Sequence, residues 1–209
     1  MENLFKLIDD LISYEKNRGI IFTDDGFPTF TKEMFYTNPI NKSFPYDHRN
    51  EASPNDSINF FSHDINMYRK LNIKKLEKVA NNLTFYQAFI GFDLSIFIDI
   101  SMHNQKFIIL ANLVIDIFFI LHGNKMIPNL RYSTYDYFYL FNEAKIVCCG
   151  VVGNVYRKAI KASNKELITN YADSHKEQII LLYGFINIDK PNTIQIEKYK
   201  RKEKMKTYD

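Results

Sequence analysis

Residues 123 to 133, GNKMIPNLRYS, pass from a turn through a short apolar run to Pro128, Asn129, Arg131, Tyr132 and Ser133 crowded together. A planar guanidinium matches phosphate or carboxylate. In such a segment Arg131 would take the charge of an anionic ligand, Tyr132 could stack on a base, and Asn129 and Ser133 could complete the hydrogen bonding. The same arginine serves equally well as a structural clamp on neighbouring carbonyl groups. Asp93, which shares GFDLS with Ser95, is the second candidate. It could act as a general base, a metal ligand or the counterion of Arg131, and a nearby guanidinium would lower its pKa. Its purely structural roles are a helix cap or an ion pair.

GVVGN, residues 150 to 154, has the form of an anion-binding turn feeding a helix. Glycines there permit close backbone approach, and a helix N-terminus offers unpaired N–H groups. It lacks the Gly-Lys-Ser/Thr of a Walker loop and the third glycine of a dinucleotide fingerprint. Gly153 and Asn154 are the candidates, with Asn154 also suited to cap the helix. Tyr183 and Gly184 end another apolar run. His63 and Asp64, in FFSHD, would lie at the same sheet edge and could converge with Asp93, but a single His and Asp do not define a metal site. Cys148 and Cys149 are adjacent, and alternation points them to opposite sides of a strand. They read as small core residues of a reduced, cytoplasmic protein, with no zinc spacing. His122 closes an apolar helix, where the dipole accounts for it.

These residues need elements to position them. Leu4, Leu7, Ile8, Leu11 and Ile12 share one face of a helix over residues 4 to 16. Turn formers and aromatic residues follow without a period, which predicts an irregular arm up to residue 56. Strands are then predicted over 57–61, 87–93, 125–131, 145–150 and 178–185. Helices are predicted over 72–83, from about 104 to 122, and from Val155 to about His175, with a short aromatic helix after a cap at Ser133 or Thr134. Alternation of strands and helices implies an α/β fold with a mostly parallel sheet of about five strands flanked by helices. An open sheet is the expectation. Ligands in such folds bind where strands end and the following loops begin, and every candidate above sits at such an end. The predicted division is an N-terminal helix and arm (1–56), an α/β core (57–190) and a basic tail (191–209).

At 209 residues and 46% hydrophobic, the chain can enclose one real core. Its net charge of +3 is concentrated in the last thirteen residues, where six basic and three acidic side chains lie between Glu197 and Asp209. The remainder is near neutral, so charge by itself does not indicate a nucleic-acid groove. The N-terminus has no signal-peptide pattern. FIILANLVIDIFFILHG, residues 107 to 123, is interrupted by Asn112 and Asp116 and falls short of the roughly 20 residues of a membrane span, which predicts a buried core helix.

The ordered series INFFSHD, FIGFDLSIF, IPNLRYS, CGVVGN and IILLYG, over roughly residues 57 to 185, resembles the family known as domain of unknown function 4417. Asp93 and Ser95 match its aspartate-serine pair, and Pro128, Asn129, Arg131 and Ser133 match its Ile-Pro segment. Gly153 and the pair Tyr183 and Gly184 match its last two motifs. Tyr132 departs from the pattern, which has Trp there. The resemblance implies a bacteriophage or mobile-element setting and a shared site at these strand ends; it implies no reaction and no cofactor.

The function expected from these features is an accessory protein with a site for an anionic, phosphate-bearing small molecule such as a nucleotide, acting in the cytoplasm, that of the host if phage-encoded. Whether it is an enzyme is open. One alternative is a replication factor holding nucleic acid through the basic tail. Another is an inhibitor binding a host protein through the aromatic arm.

Overall fold

The computed structural model describes residues 4–62, 64–96, 99–131, 133–151, 158–184 and 188–199. Helix α1 (Leu4–Lys16) buries Leu7, Ile8 and Leu11, as its periodicity requires, together with Glu15. Strands β1 (Lys42–Pro45) and β2 (Ser57–Asn59) precede the short helix α2 (Asp64–Tyr68) and α3 (Ile73–Leu83). Asn72 caps α3, accepting a hydrogen bond from Lys75 N at 3.2 Å. Then come β3 (Ala88–Ile90), α4 (Met102–Leu121), β4 (Met126–Ile127) and β5 (Ile146–Val151). The chain continues through α5 (Lys158–Ser174), β6 (Ile179–Gly184), β7 (Thr193–Gln195) and β8 (Glu197–Lys198). The fold is therefore α/β with parallel sheets flanked by helices.

Every strand pair is parallel, and the hydrogen-bonded orders are β4-β3-β2-β1-β8 and β5-β6-β7. Two junctions connect these sets. Cys148 N donates to Pro128 O and Leu130 N to Cys148 O, each at 2.7 Å, which carries β4 onto β5. On the other side Ile196 N donates to Leu182 O at 3.0 Å, and the next residue, Glu197, donates to Asn41 O at 3.1 Å. β7 and β8 thus form one extended segment paired to β6 along one edge and to β1 along the other. The ring of neighbours closes, which corrects the expectation of an open sheet. Among the described residues, closure covers the strand edges that an open sheet would expose at β1 and β6.

Alternation sorts the strand residues into two cores. Ala88, Ile90, Ile127, Ile146, Cys148, Leu181, Tyr183 and Ile196 pack together inside the ring with Ile40 and Phe61. Ile58, Phe89, Met126, Val147, Cys149, Ile180 and Leu182 face outward under the helices. Cys148 and Cys149 accordingly point to opposite sides, both buried and unbridged. The interior also holds a polar contact in which Asn59 Nδ2 donates to Ser43 Oγ at 2.9 Å.

The N-terminal arm is irregular except for β1 and two 3-10 turns, Lys32–Met34 and Tyr46–Glu51. The region expected to be a tail contributes β7 and β8, and Tyr199 pegs its end. The Tyr199 hydroxyl donates to Glu51 Oε1 at 2.7 Å, and its ring stacks on His48 with centroids 4.6 Å apart. The short aromatic helix is a 3-10 turn, Phe138–Phe141, whose first backbone N–H, that of Phe138, donates to Asp136 Oδ1 at 3.2 Å. Ser133 Oγ instead accepts from Tyr135 N at 3.0 Å. The 20-residue α4 is long and apolar enough to cross a membrane. Here it lies in the core, packed against α1 and α3.

Candidate functional site

The strands of a parallel ring deliver their exit loops to one end. At that end Asp93, two residues beyond the glycine that follows β3, meets Arg131, which lies beyond β4. Arg131 Nε donates to Asp93 Oδ1 at 2.5 Å, and a terminal nitrogen of the fork donates to Asp93 Oδ2. The other terminal nitrogen donates to the carbonyl of Gly150, at the end of β5. One arginine therefore ties three strand exits together. Asn129 Nδ2 adds a fourth contact, to Asp93 Oδ1 at 3.0 Å. Among the readings of Asp93, its geometry is that of the counterion of Arg131. Burial acts to lower the pKa of the guanidinium, but the Asp93 carboxylate more than offsets this and holds it above its ordinary value.

Two polar residues of the apolar helix α4 set the loop that presents Asp93. Asp116 Oδ1 accepts from Phe92 N at 2.7 Å. Asn112 Oδ1 accepts from Leu94 N at 2.9 Å while its Nδ2 donates to Leu94 O at 3.1 Å. The backbone on both sides of Asp93 is thus pinned to α4, and the intervening side chain is turned toward Arg131. Asn112 and Asp116 are four residues apart and share a helix face. In the sequence they stand out only as interruptions of an apolar run, and their spacing is the signal that they act together. Gly91 allows this approach, since a Cβ there would stand 2.9 Å from Asp116 Oδ2.

Phe61 closes the interior beneath the arginine. Its ring lies 5.3 Å from the guanidinium carbon of Arg131 and 5.0 Å from the Tyr183 ring. Gly150 packs face-on against it, and a Cβ at that position would overlap the ring. A small cavity beside this assembly is lined by Asn112, Asp116, Asn129, Arg131 and Tyr137 among apolar neighbours. The Tyr137 hydroxyl accepts from Arg131 N at 3.0 Å and donates to Arg131 O at 3.1 Å, holding the backbone of the arginine in place.

Of the residues singled out in the sequence, Asp93, Asn129 and Arg131 converge. Ser95 is separate and exposed: its N and Oγ both donate to Asp64 Oδ1, at 3.2 and 2.9 Å. Asp64 is thereby engaged with Ser95 while Asp93 is engaged with Arg131, so these carboxylates serve different partners. Ser133 Oγ donates to the buried Gln105 Oε1 at 3.0 Å, fastening its loop to the start of α4. Tyr183 is 1% exposed and belongs to the interior of the ring. His63, Tyr132, Gly153 and Asn154 lie outside the described residues. Burial pushes the Cys149 thiol up to about 12 and Cys148 also well above its usual range, so neither is a ready nucleophile.

No family model, curated protein or solved structure matches this chain.

Proposed function

We propose that the end of the ring where the strands exit binds an anionic, phosphate-bearing small molecule, with Arg131 as its principal contact. One observation supports this reading above the others. The Arg131 side chain is 24% exposed although it is anchored on three sides. A guanidinium has five N–H donors, and three are engaged with Asp93 and Gly150. The remaining two donors belong to a group held rigid by its neighbours, which lowers the entropic cost of binding an anion. Asp93 neutralises much of the charge, so selectivity would rest on directed hydrogen bonds rather than on net potential. The ordered motifs that resemble domain of unknown function 4417 lead us to read the protein as a phage or mobile-element accessory factor.

Thermal unfolding in the presence of inorganic phosphate and of nucleoside mono-, di- and triphosphates tests the reading, because a ligand that binds only the folded state raises Tm with concentration. The wild type should be stabilised by at least one of these compounds. Arg131→Lys keeps the charge and loses the fork, so it should lose most of the ligand-induced rise whatever its own Tm. A wild type indifferent to every phosphate compound, or an Arg131→Lys variant with an undiminished rise, refutes the proposal.

A further inference from the structure

The buried amide of Asn129 is bonded at only one end. Its Nδ2 donates to Asp93 Oδ1, which fixes the orientation of the amide, because a flipped group would set its oxygen against the carboxylate. Its Oδ1 then points away from Asp93, and it is a buried acceptor with no donor among the described residues. Leaving such an atom unsatisfied is costly. Across the small cavity that Asn129 lines stands Asp116, 4% exposed. Asp116 Oδ1 is engaged by Phe92 N, and its Oδ2 lies on the side of Gly91 against which Asn129 also packs.

We infer that Asp116 is protonated and donates a hydrogen bond toward Asn129 Oδ1 across this cavity, which makes it a positioning residue for the Asp93 and Arg131 pair. An ionised Asp116 would set lone pairs against the lone pairs of the amide oxygen, and two carboxylates would then flank one asparagine. With the proton in place the groups form one directed chain: Asp116 to Asn129, Asn129 to Asp93, and Arg131 to Asp93.

The surroundings of Asp116 favour the neutral form. Burial raises its pKa well above the ordinary carboxylate value, against the Phe92 N–H that favours the charged form, and the charge of Asp93 adds to the rise. Glu15 on α1 is a second buried carboxyl, whose own pKa burial pushes up to about 9, so it brings no charge to Asp116 at neutral pH. Of the cations and hydroxyls nearby, Arg131 directs three of its donors to Asp93 and Gly150, and Tyr137 bonds the backbone of Arg131. Asp116→Asn is the matching neutral replacement, since its carbonyl can accept from Phe92 N and its NH2 can donate to Asn129.

This inference rests on the proposed anion site for its functional consequence but not for its first test. Carbon-13 labelling of aspartate side chains, with Asp116→Asn and Glu15→Gln for assignment, should find the Asp116 carboxyl protonated at neutral pH. The Asn129 side-chain amide should exchange slowly with solvent in the wild type and in Asp116→Asn. In Asn129→Ala, which removes the acceptor, the titration midpoint of Asp116 should fall. An ionised Asp116 at neutral pH overturns the inference even if phosphate binds. Calorimetry with inorganic phosphate then reads the consequence: Asp116→Asn should bind like the wild type, and Asp116→Ala about tenfold more weakly, the worth of roughly one buried hydrogen bond. Equal affinity in Asp116→Ala would remove the positioning role. A wild type that binds no phosphate while Asp116 is protonated and the Asn129 amide protected would sink the functional proposal and leave the hydrogen-bond chain standing.

Discussion

Asp93 and Arg131, 38 residues apart in the chain, meet fork to fork where the strands leave the ring, and the same arginine reaches the carbonyl of Gly150. The carboxylate is 5% exposed, so the pair is largely shielded from screening by water.

Removing one partner therefore strands the other. Arg131→Ala should destabilise the protein by about 3–5 kcal/mol, because Asp93 keeps only Asn129 as a donor from this group. The double variant Asp93→Asn with Arg131→Met should lose much less than the sum of its single variants. Urea unfolding of the four proteins measures the coupling. An Arg131→Ala variant as stable as the wild type would show that the clamp contributes nothing to the fold.

Glu15 supplies a pH dependence of defined sign. Burial, the largest cause, pushes its pKa from 4.5 up to about 9, and neither of its carboxyl oxygens has a hydrogen-bond partner among the described residues. Because the folded value lies above the unfolded one, the contribution of this group is fully present below pH 4.5 and is lost as pH rises toward 9. Glu15→Gln should flatten this part of the profile and be more stable than the wild type at neutral pH, by on the order of a few kcal/mol. Chemical denaturation at a series of pH values decides it; a glutamine variant with the wild-type slope would be the contrary result.

Gly150 has no room for a side chain beside Phe61. Gly150→Ala should cost about 1–3 kcal/mol through overpacking. Adding Phe61→Leu should recover part of the loss by thinning the side chain that the new methyl meets. Thermal melts of the single and double variants provide the comparison, and a double variant that is merely additive would show that the two residues do not share this space.

Closure of the ring depends on the segment from Thr193 to Lys198, which pairs on both edges. Truncation before Thr193 should expose β1 and β6 together and abolish cooperative unfolding. Truncation after Tyr199 should leave the far- and near-ultraviolet circular dichroism of the fold intact. If the shorter chain melts as cooperatively as the longer one, closure is not required for the domain.

Local patterns carried much of this architecture. The apolar spacing of Leu4, Leu7, Ile8 and Leu11 is a property of one helix, and α1 occupies Leu4–Lys16 as that spacing implies. The runs ending at Asp93, Arg131, Gly150 and Tyr183 are short and apolar, so their strands were legible, and Asp93 as one candidate counterion of Arg131 with them; β3 and β4 stop earlier, at Ile90 and Ile127, and the bond from Asn129 to Asp93 was not foreseen. β1 and the β7 to β8 segment were not legible. Ser43 of β1 is polar yet fully buried, and its hydroxyl accepts from Asn59, so the inward face of β1 carries little apolar signal. β7 and β8 are three and two residues long, follow a loop, and continue into a basic run that reads as solvated.

By itself the sequence determined the helices and the apolar strands from β2 to β6, and which polar residues wait near their ends, because period, turn chemistry and burial of apolar faces act over a few residues. Only the tertiary structure decided that the strands close on themselves, that Arg131 is shared by Asp93 and Gly150, and that Asn112 and Asp116 aim the loop between them. These relationships depend on hydrogen bonds between residues far apart in the chain, whose partners are chosen by packing.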